Sequence, residues 1–155
     1  MMANNVVFSW MVVELLITTV VAATEYTNHT VGGNTGGFFD FATNTSATNY
    51  TSWATNQTFS LGDYLIFRTN TNQTVIRTFN KTTFQSCSMD NASDDDTFQY
   101  NGGSAAFGES QTIAVPVTEE GSNYFSDTND GIQCQNGLAF GNSVNHDLEL
   151  PPSLN

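Results

Sequence analysis

Short runs of alternating apolar and polar residues follow one another along the chain, separated by clusters of Gly, Asn and Asp. This pattern is typical of antiparallel β-strands with one buried face. In one such run Ile113, Val115 and Val117 share a face, which we expect to point toward the core. Pro116 cannot donate a ladder hydrogen bond, so we expect this strand at a sheet edge or with its proline facing outward. The predicted strands are 24–31, 58–61, 63–68, 74–79, 111–117, 122–126 and, with a weaker pattern, 138–144.

Two short segments have the character of one or two helical turns. Residues 46–54 carry Tyr50 and Trp53, and residues 80–87 begin at Asn80, a residue suited to cap a helix. The polar stretch 88–103 is predicted to be a linker. The whole pattern therefore predicts an all-β fold with one or two short helical segments.

The first part of the chain differs from the rest because it is almost continuously apolar from Val6 to Ala23. It ends in the small residues Val-Ala-Ala, a pattern that signal peptidase recognises. We expect residues 1–23 to be a signal peptide, residues 24–144 to form one domain and residues 145–155 to be a disordered tail. An uncleaved membrane anchor remains the alternative, because the n-region has no basic residue and Glu14 interrupts the apolar run. The stretch barely reaches the roughly 18 residues that a span needs.

The charge balance limits the possible partners. Among 155 residues, 15 are Asp or Glu and 3 are Lys or Arg, which gives a formal net charge of −12 and a pI near 4.1. Nucleic acid and anionic lipid surfaces would repel such a chain. Charged residues make up only 12% of the chain, and Asn, Thr, Ser and Gln supply much of its polarity. This composition favours an extracellular protein.

Seven Asn-x-Ser/Thr sequons support the same interpretation, because N-glycans are added to secreted proteins. None contains proline at the middle position. We therefore expect a glycoprotein, with candidate N-glycosylation sites at Asn28, Asn44, Asn49, Asn56, Asn72, Asn80 and Asn91.

The two cysteines are Cys87 and Cys134. In a secreted chain two cysteines most simply form one disulfide. A free thiolate, acting as nucleophile or metal ligand, is the alternative. It has little support, because no basic residue lies within ten positions of Cys134 to lower its pKa. Nor do the two histidines belong to a catalytic motif such as Gly-x-Ser-x-Gly, so the chain is not expected to be an enzyme.

Several stretches occur in an order that resembles one family. They are "ATEYTNHTVGG" at the expected mature start, "GGFFD", "NYTSWATNQTFSLGDYLIF", "FQSC", "GSNYF" and "CQNG", and the third is the most specific. Together the stretches resemble the phytocyanins, the plant cupredoxin family. The resemblance covers the expected mature domain, and it implies a Greek-key β-sandwich and a disulfide between Cys87 and Cys134.

Copper is the cofactor that the resemblance brings into question. A blue copper centre needs two imidazoles, one thiolate and a weak axial ligand. In this chain the resemblance places the first imidazole position at Thr74, with Gln73 as the nearest alternative, and the thiolate at Asp127. The second imidazole position falls on Gln133 and the axial position on Leu138. None of these residues can build the centre, a pattern most like that of the early nodulin-like proteins.

The function expected from the sequence is a glycosylated, non-catalytic module without a cofactor. It would be secreted to the apoplast or held at the outer face of the plasma membrane, and it would contact proteins or glycans of the cell surface or wall. We expect no membrane span after signal cleavage. The sequence ends at "PPSLN" without a hydrophobic tail, so it does not support lipid anchoring, and an anchor in a longer form stays open. Phe38 and Phe39 are expected to be exposed and available for binding. A blue copper electron carrier is the alternative function.

Overall fold

Two β-sheets form most of the computed structural model, which describes residues 25–36, 38–40, 42–70, 73–90, 92–102, 109–127, 131–145 and 150–154. The predicted signal peptide (1–23) therefore lies outside the described residues. The strands are β1 (Asn28–Thr30), β2 (Phe39–Asp40), β3 (Thr45–Ser46), β4 (Phe59–Ser60), β5 (Tyr64–Asn70), β6 (Thr74–Thr78), β7 (Thr97–Asn101), β8 (Ser110–Pro116), β9 (Asn123–Asp127), β10 (Ala139–Gly141) and β11 (Val144–Asn145). The helices are α1 (Tyr50–Thr55), α2 (Lys81–Ser86) and α3 (Ile132–Gln135), and short 3₁₀ turns lie at Gly33–Thr35 and Pro152–Leu154.

The strand order explains how the two sheets are built. The first sheet has the order β1-β5-β8, with β1 parallel and β8 antiparallel to β5. The second sheet has the order β10-β9-β6-β7 and is antiparallel throughout. Within the described residues, β8 is an edge strand, as Pro116 predicted. Two short pairs, β11 with β4 and β2 with β3, complete the arrangement.

The core lies between the sheets and is rich in aromatic rings. Tyr124 is fully buried, and its ring stacks on Phe140 with 5.5 Å between the centroids. Trp53 of α1 meets Phe140 edge-on at 5.4 Å, so the helix covers one side of this cluster. Val115 and Val117 are also fully buried, as the alternation in β8 predicted. Aromatic pairs in these geometries add about 0.5–1.5 kcal/mol each beyond the area that they bury.

Strand β6 is buried on both faces, which explains why its sequence alternates little. Val75 belongs to the main core, whereas its neighbour Ile76 packs on the other side of the sheet with Cys87 and Cys134. Phe84 of α2 covers this second cluster. Arg77 and Thr78 are buried in the same strand, so β6 does not show the alternation of a strand with one exposed face.

The first two helices are held at their starts by asparagine caps. The side chain of Asn49 accepts a hydrogen bond from the backbone N–H of Ser52. Asn80 accepts from the backbone N–H groups of both Thr82 and Thr83. Caps of this type are worth about 1 kcal/mol each, so these helices form near their predicted places although they have only six residues each.

Strand β7 and helix α3 were not predicted. β7 lies inside the stretch 88–103 that was predicted to be a linker, and it forms by pairing with β6, where Tyr100 lies opposite Val75. Helix α3 has four residues, too few for a periodic pattern.

Two further expectations differ from the structure. Phe39 was expected to be exposed, but it is 4% exposed because it packs in the main core. Part of the tail predicted to be disordered is ordered, since Asn145 ends β11 and Pro152–Leu154 form a 3₁₀ turn. A Cβ atom on Gly62 would lie 2.9 Å from Pro151, so the start of this turn packs closely against the domain.

Candidate functional site

The positions that the resemblance assigned to copper ligands gather at one end of the second sheet. Thr74 is the first residue of β6, and its Cα partner on β9 is Asp127. Gln133 lies in α3, next to the disulfide residue Cys134, and Leu138 directly precedes β10. The fold thus brings together the segments that would carry a metal centre.

A pair of buried amides occupies the centre of this region. The Nε2 of Gln73 donates a hydrogen bond to the Oε1 of Gln133, and the two side chains belong to residues that are 2% and 0% exposed. Gln111 of β8 adds a third amide, because its Nε2 donates to the backbone oxygen of Gln73 at 2.9 Å. Buried amides must be hydrogen-bonded to offset their desolvation, and here they do so with one another.

Thr74 has a different environment. Its Oγ1 donates to the Oδ1 of Asn101 at 2.9 Å, in an exposed interaction with β7. Of the two positions considered for the first imidazole, Gln73 is therefore the one whose side chain contacts Gln133. Because neighbouring residues in a strand point to opposite faces, a shift of one residue in the assignment exchanges an inward side chain for an outward one.

The axial position also lacks a metal-binding group. Leu138 is 4% exposed and packs in the main core, and its backbone N–H donates to the oxygen of Gln133. The predicted disulfide is confirmed, because Cys87 and Cys134 are bonded, with 5.7 Å between their Cα atoms. Neither sulfur is then available as a thiolate, and both lie in the second cluster beneath α2.

These residues do not fit a type 1 copper centre. The centre needs imidazole nitrogens and a thiolate, whereas the described positions offer two amides that already bond each other and one hydrocarbon side chain. Within the part of the chain that the structure describes, no group of three or more His, Cys, Asp or Glu side chains could hold a metal ion.

The comparisons with known proteins decide the family. Residues 41–138 match the family model described as the plastocyanin-like domain. Early nodulin-like protein 18 of Arabidopsis thaliana is 42% identical over 136 residues, which is 86% of this chain. The chain belongs to the phytocyanin family. It spans 59% of the length of that Arabidopsis relative.

Solved phytocyanin structures confirm the predicted cupredoxin-like sandwich. Cucumber stellacyanin, solved with Cu²⁺ at pH 7.0, superposes with a TM-score of 0.57 over 81% of this chain and 100% of its own, at 24% identity. Cucumber basic protein, a blue copper protein, gives a TM-score of 0.53 over 76% of this chain and 99% of its own, at 22% identity. At these identities the likeness shows the fold alone.

His29 of this phytocyanin does not belong to the site. The Nε2 of His29 lies 2.8 Å from the Oδ2 of Asp63, and both side chains are buried. Asp63 also accepts hydrogen bonds from the backbone N–H groups of Thr27 and Ser60, so the carboxylate joins the segment before β1 to the end of β4. His29 is thus part of a structural network, while His146 lies outside the described residues.

Four of the predicted glycosylation sites are exposed on the phytocyanin domain: Asn28, Asn44, Asn49 and Asn56. Asn80 is partly buried, and its Nδ2 donates to the Oδ2 of Asp96 at 3.1 Å. Asn72 and Asn91 lie outside the described residues. No helix in the described ranges has the length and apolar character needed to cross a membrane.

Proposed function

We propose that this phytocyanin is an extracellular, glycosylated protein that binds partners at the plant cell surface or in the wall, without a type 1 copper centre and without catalysis. One observation carries the proposal. The position that contacts Gln133 is itself a glutamine, and the two amides are bonded to each other. The second imidazole position, Gln133, is thus engaged in a hydrogen bond between protein side chains, which supports a domain without copper.

Electron transfer, the alternative function, is disfavoured by the same contacts. A cupredoxin carries electrons through its metal, and the described ligand positions Gln73, Thr74, Gln133 and Leu138 supply neither the imidazoles nor the thiolate that tune copper for this task. The cysteines are the remaining redox-active groups in the chain, and they form a disulfide in the buried cluster beneath α2. Such a bond suits a structural role in an oxidising compartment.

The extracellular location and the binding role rest on surface properties. The disulfide, the exposed sequons and the low share of charged residues all suit a secreted glycoprotein. In a sandwich without a metal centre, the surface is the part that can act, and contacts with wall proteins or glycans are the simplest use of such a surface.

Copper binding provides the direct test. The secreted, glycosylated protein is mixed with Cu²⁺, dialysed, and examined for bound metal and for an intense blue absorption band. We expect neither. The matched comparison is a variant with Thr74→His, Asp127→Cys, Gln133→His and Leu138→Met, because Thr74 and Asp127 are Cα partners across β6 and β9. It supplies the ligand types of a type 1 centre at the four positions that the resemblance assigned, and it is expected to turn blue. A stoichiometric blue complex in the unmodified protein would contradict the proposal.

The binding role is tested separately with isolated plant cell walls. We expect saturable retention of the native glycoprotein, and no saturable retention of the same protein after reduction and unfolding. Equal retention of the two forms would mean that the folded surface has no part in binding.

A further inference from the structure

We propose that the outer edge of β7 and the groove beside it bind an extended, positively charged peptide segment of a partner protein. This inference rests on the proposed binding role and gives it a surface and a partner class. The groove has a volume of about 620 Å³. It is lined by Met89, Ala92, Ser93, Asp94, Thr97, Phe98, Gln99 and Tyr100.

The first argument concerns the backbone of β7. The strand pairs with β6 on one side, and no described strand pairs with its other side. An open edge presents N–H and C=O groups that can pair with another chain. Proteins usually block such edges with lysine or proline, but β7 has the sequence Thr-Phe-Gln-Tyr-Asn and contains neither.

The second argument concerns the side chains. An added strand places alternate side chains on opposite faces of the sheet, so it needs apolar surface on both faces beside the edge. Tyr100 is partly buried against the main core, and Met89 is partly buried against the second cluster on the other face. Both residues line the groove, as does the partly buried Phe98. Recognition by strand addition takes its affinity from the backbone and its specificity from such surfaces.

Charge selects the occupant. Asp94 lines the groove, and Asp95 and Asp96 follow it in the chain. Hydrogen bonds from Thr97 and Asn80 hold the pKa of Asp96 below its usual range, so this carboxylate stays charged near neutral pH. Arg77 packs behind Phe98, 4.5 Å from its ring centroid, but it is 5% exposed and directs NH1 at Thr118. The groove therefore presents negative charge.

The net charge of the chain also separates the possible occupants. Two copies of a chain with a formal charge of −12 repel each other, which disfavours pairing of β7 with β7 of a second copy. A cationic peptide strand is attracted by the negative charge of the domain. The attraction raises its association rate and helps to fix its register along β7. A basic, extended peptide is thus the occupant that fits both the edge and the charge.

The test uses a fluorescent peptide of about eight residues that alternates lysine with valine, long enough to pair along a strand. The secreted glycoprotein is titrated into the peptide, and fluorescence anisotropy is measured at low and high salt. We expect saturable binding that weakens with salt. A peptide with glutamate in place of lysine is expected not to bind.

Two matched lysine variants locate the site. Gln99→Lys adds a positive charge to the exposed middle of β7, and Ala114→Lys adds one to an exposed position of β8 in the other sheet. We expect Gln99→Lys to weaken binding about tenfold, and Ala114→Lys to change it about twofold at most. Should Gln99→Lys fail to fold, Asp94→Asn tests the same groove from outside the strand and is expected to weaken binding about threefold.

The remaining outcomes each contradict the proposal. Equal binding of the peptide by both lysine variants would mean diffuse charge attraction rather than a site. If sedimentation analysis shows a dimer of the unmodified protein and a monomer of Gln99→Lys, a second copy of the chain would be the occupant. Asn91 lies between two groove residues in sequence, so binding found only in Asn91→Gln would mean that a glycan covers the groove. The copper test is run on the same preparation. Copper binding would overturn the proposed function, whereas copper-free protein that ignores the peptide would overturn only this inference.

Discussion

The amide pair of Gln73 and Gln133 makes a quantitative prediction about the stability of the domain. Replacing Gln133 with leucine keeps a similar side-chain volume but removes the oxygen that accepts the hydrogen bond from Gln73. Both residues are at most 2% exposed, so water cannot replace the lost partner. A buried polar group without its partner costs about 1–3 kcal/mol. We therefore expect Gln133→Leu and Gln73→Leu each to lower the free energy of unfolding by about 2 kcal/mol.

The double variant separates the pairing from the individual residues. When both amides are replaced, neither is left without the other, so the total cost should fall below the sum of the single costs by about 1–2 kcal/mol. Urea unfolding of the disulfide-bonded protein, followed by tryptophan fluorescence, measures these differences. The comparison requires that the slope of the unfolding free energy against urea concentration is the same in all variants. Gln135→Leu is the matched control, because Gln135 is exposed two residues further along α3. If the cost of the double variant equals the sum of the two single costs within about 0.5 kcal/mol, Gln73 and Gln133 are not coupled and the reasoning is refuted.

Three further predictions follow from buried groups. Burial raises the pKa of Tyr50 and Tyr124 from 10.0 to about 12. Between pH 10 and pH 12 the unfolded state therefore loses phenol protons that the native state keeps. The free energy of unfolding should fall as the pH rises through this range. Urea unfolding of Tyr124→Phe at pH 9 and pH 11 should show a smaller fall than the unmodified protein, and an equal fall would contradict this. Replacing Cys87 and Cys134 with serine opens a loop with a separation of 47 residues and should cost about 4 kcal/mol in the chain-entropy model, measured by urea unfolding. Asp63→Ala removes a buried acceptor of three hydrogen bonds and should cost about 3 kcal/mol or more, whereas a loss below about 1 kcal/mol would mean that water replaces the carboxylate.

The strands that sequence analysis could predict are those whose own residues specify them. β8 alternates buried and exposed side chains along its length, and β6 carries the apolar neighbours Val75 and Ile76, which need burial on opposite faces. β7 was missed because its pattern is weak and its formation depends on pairing with β6. Phe39 was assigned to the surface because a two-residue strand has no period from which a buried face can be read. Local pattern therefore predicts elements that carry their own core-facing surface, but not those that a neighbour completes.

The candidate site shows the same division at the level of single residues. Family resemblance located the loops, and it identified Gln133 beside the disulfide. It could not decide between residues 73 and 74, because a shift of one residue reverses the direction of the side chain. The structure supplies two long-range contacts that a sequence cannot give. The side chain of Gln73 bonds Gln133, 60 positions away, whereas the register of β6 with β9 pairs Thr74 with Asp127.

In the proposed copper-free protein, the disulfide and the amide pair supply a constraint that a metal centre would otherwise provide. A metal centre ties together the segments that carry its ligands, and its loss would remove that constraint. Here Gln73 bonds Gln133 across the same segments, and Cys134, the next residue in α3, is covalently joined to the end of α2. Helix α3 is thus fixed on two sides by contacts that need no metal. The amide pair contributes to this constraint only if its two members are energetically coupled, which is what the double variant measures.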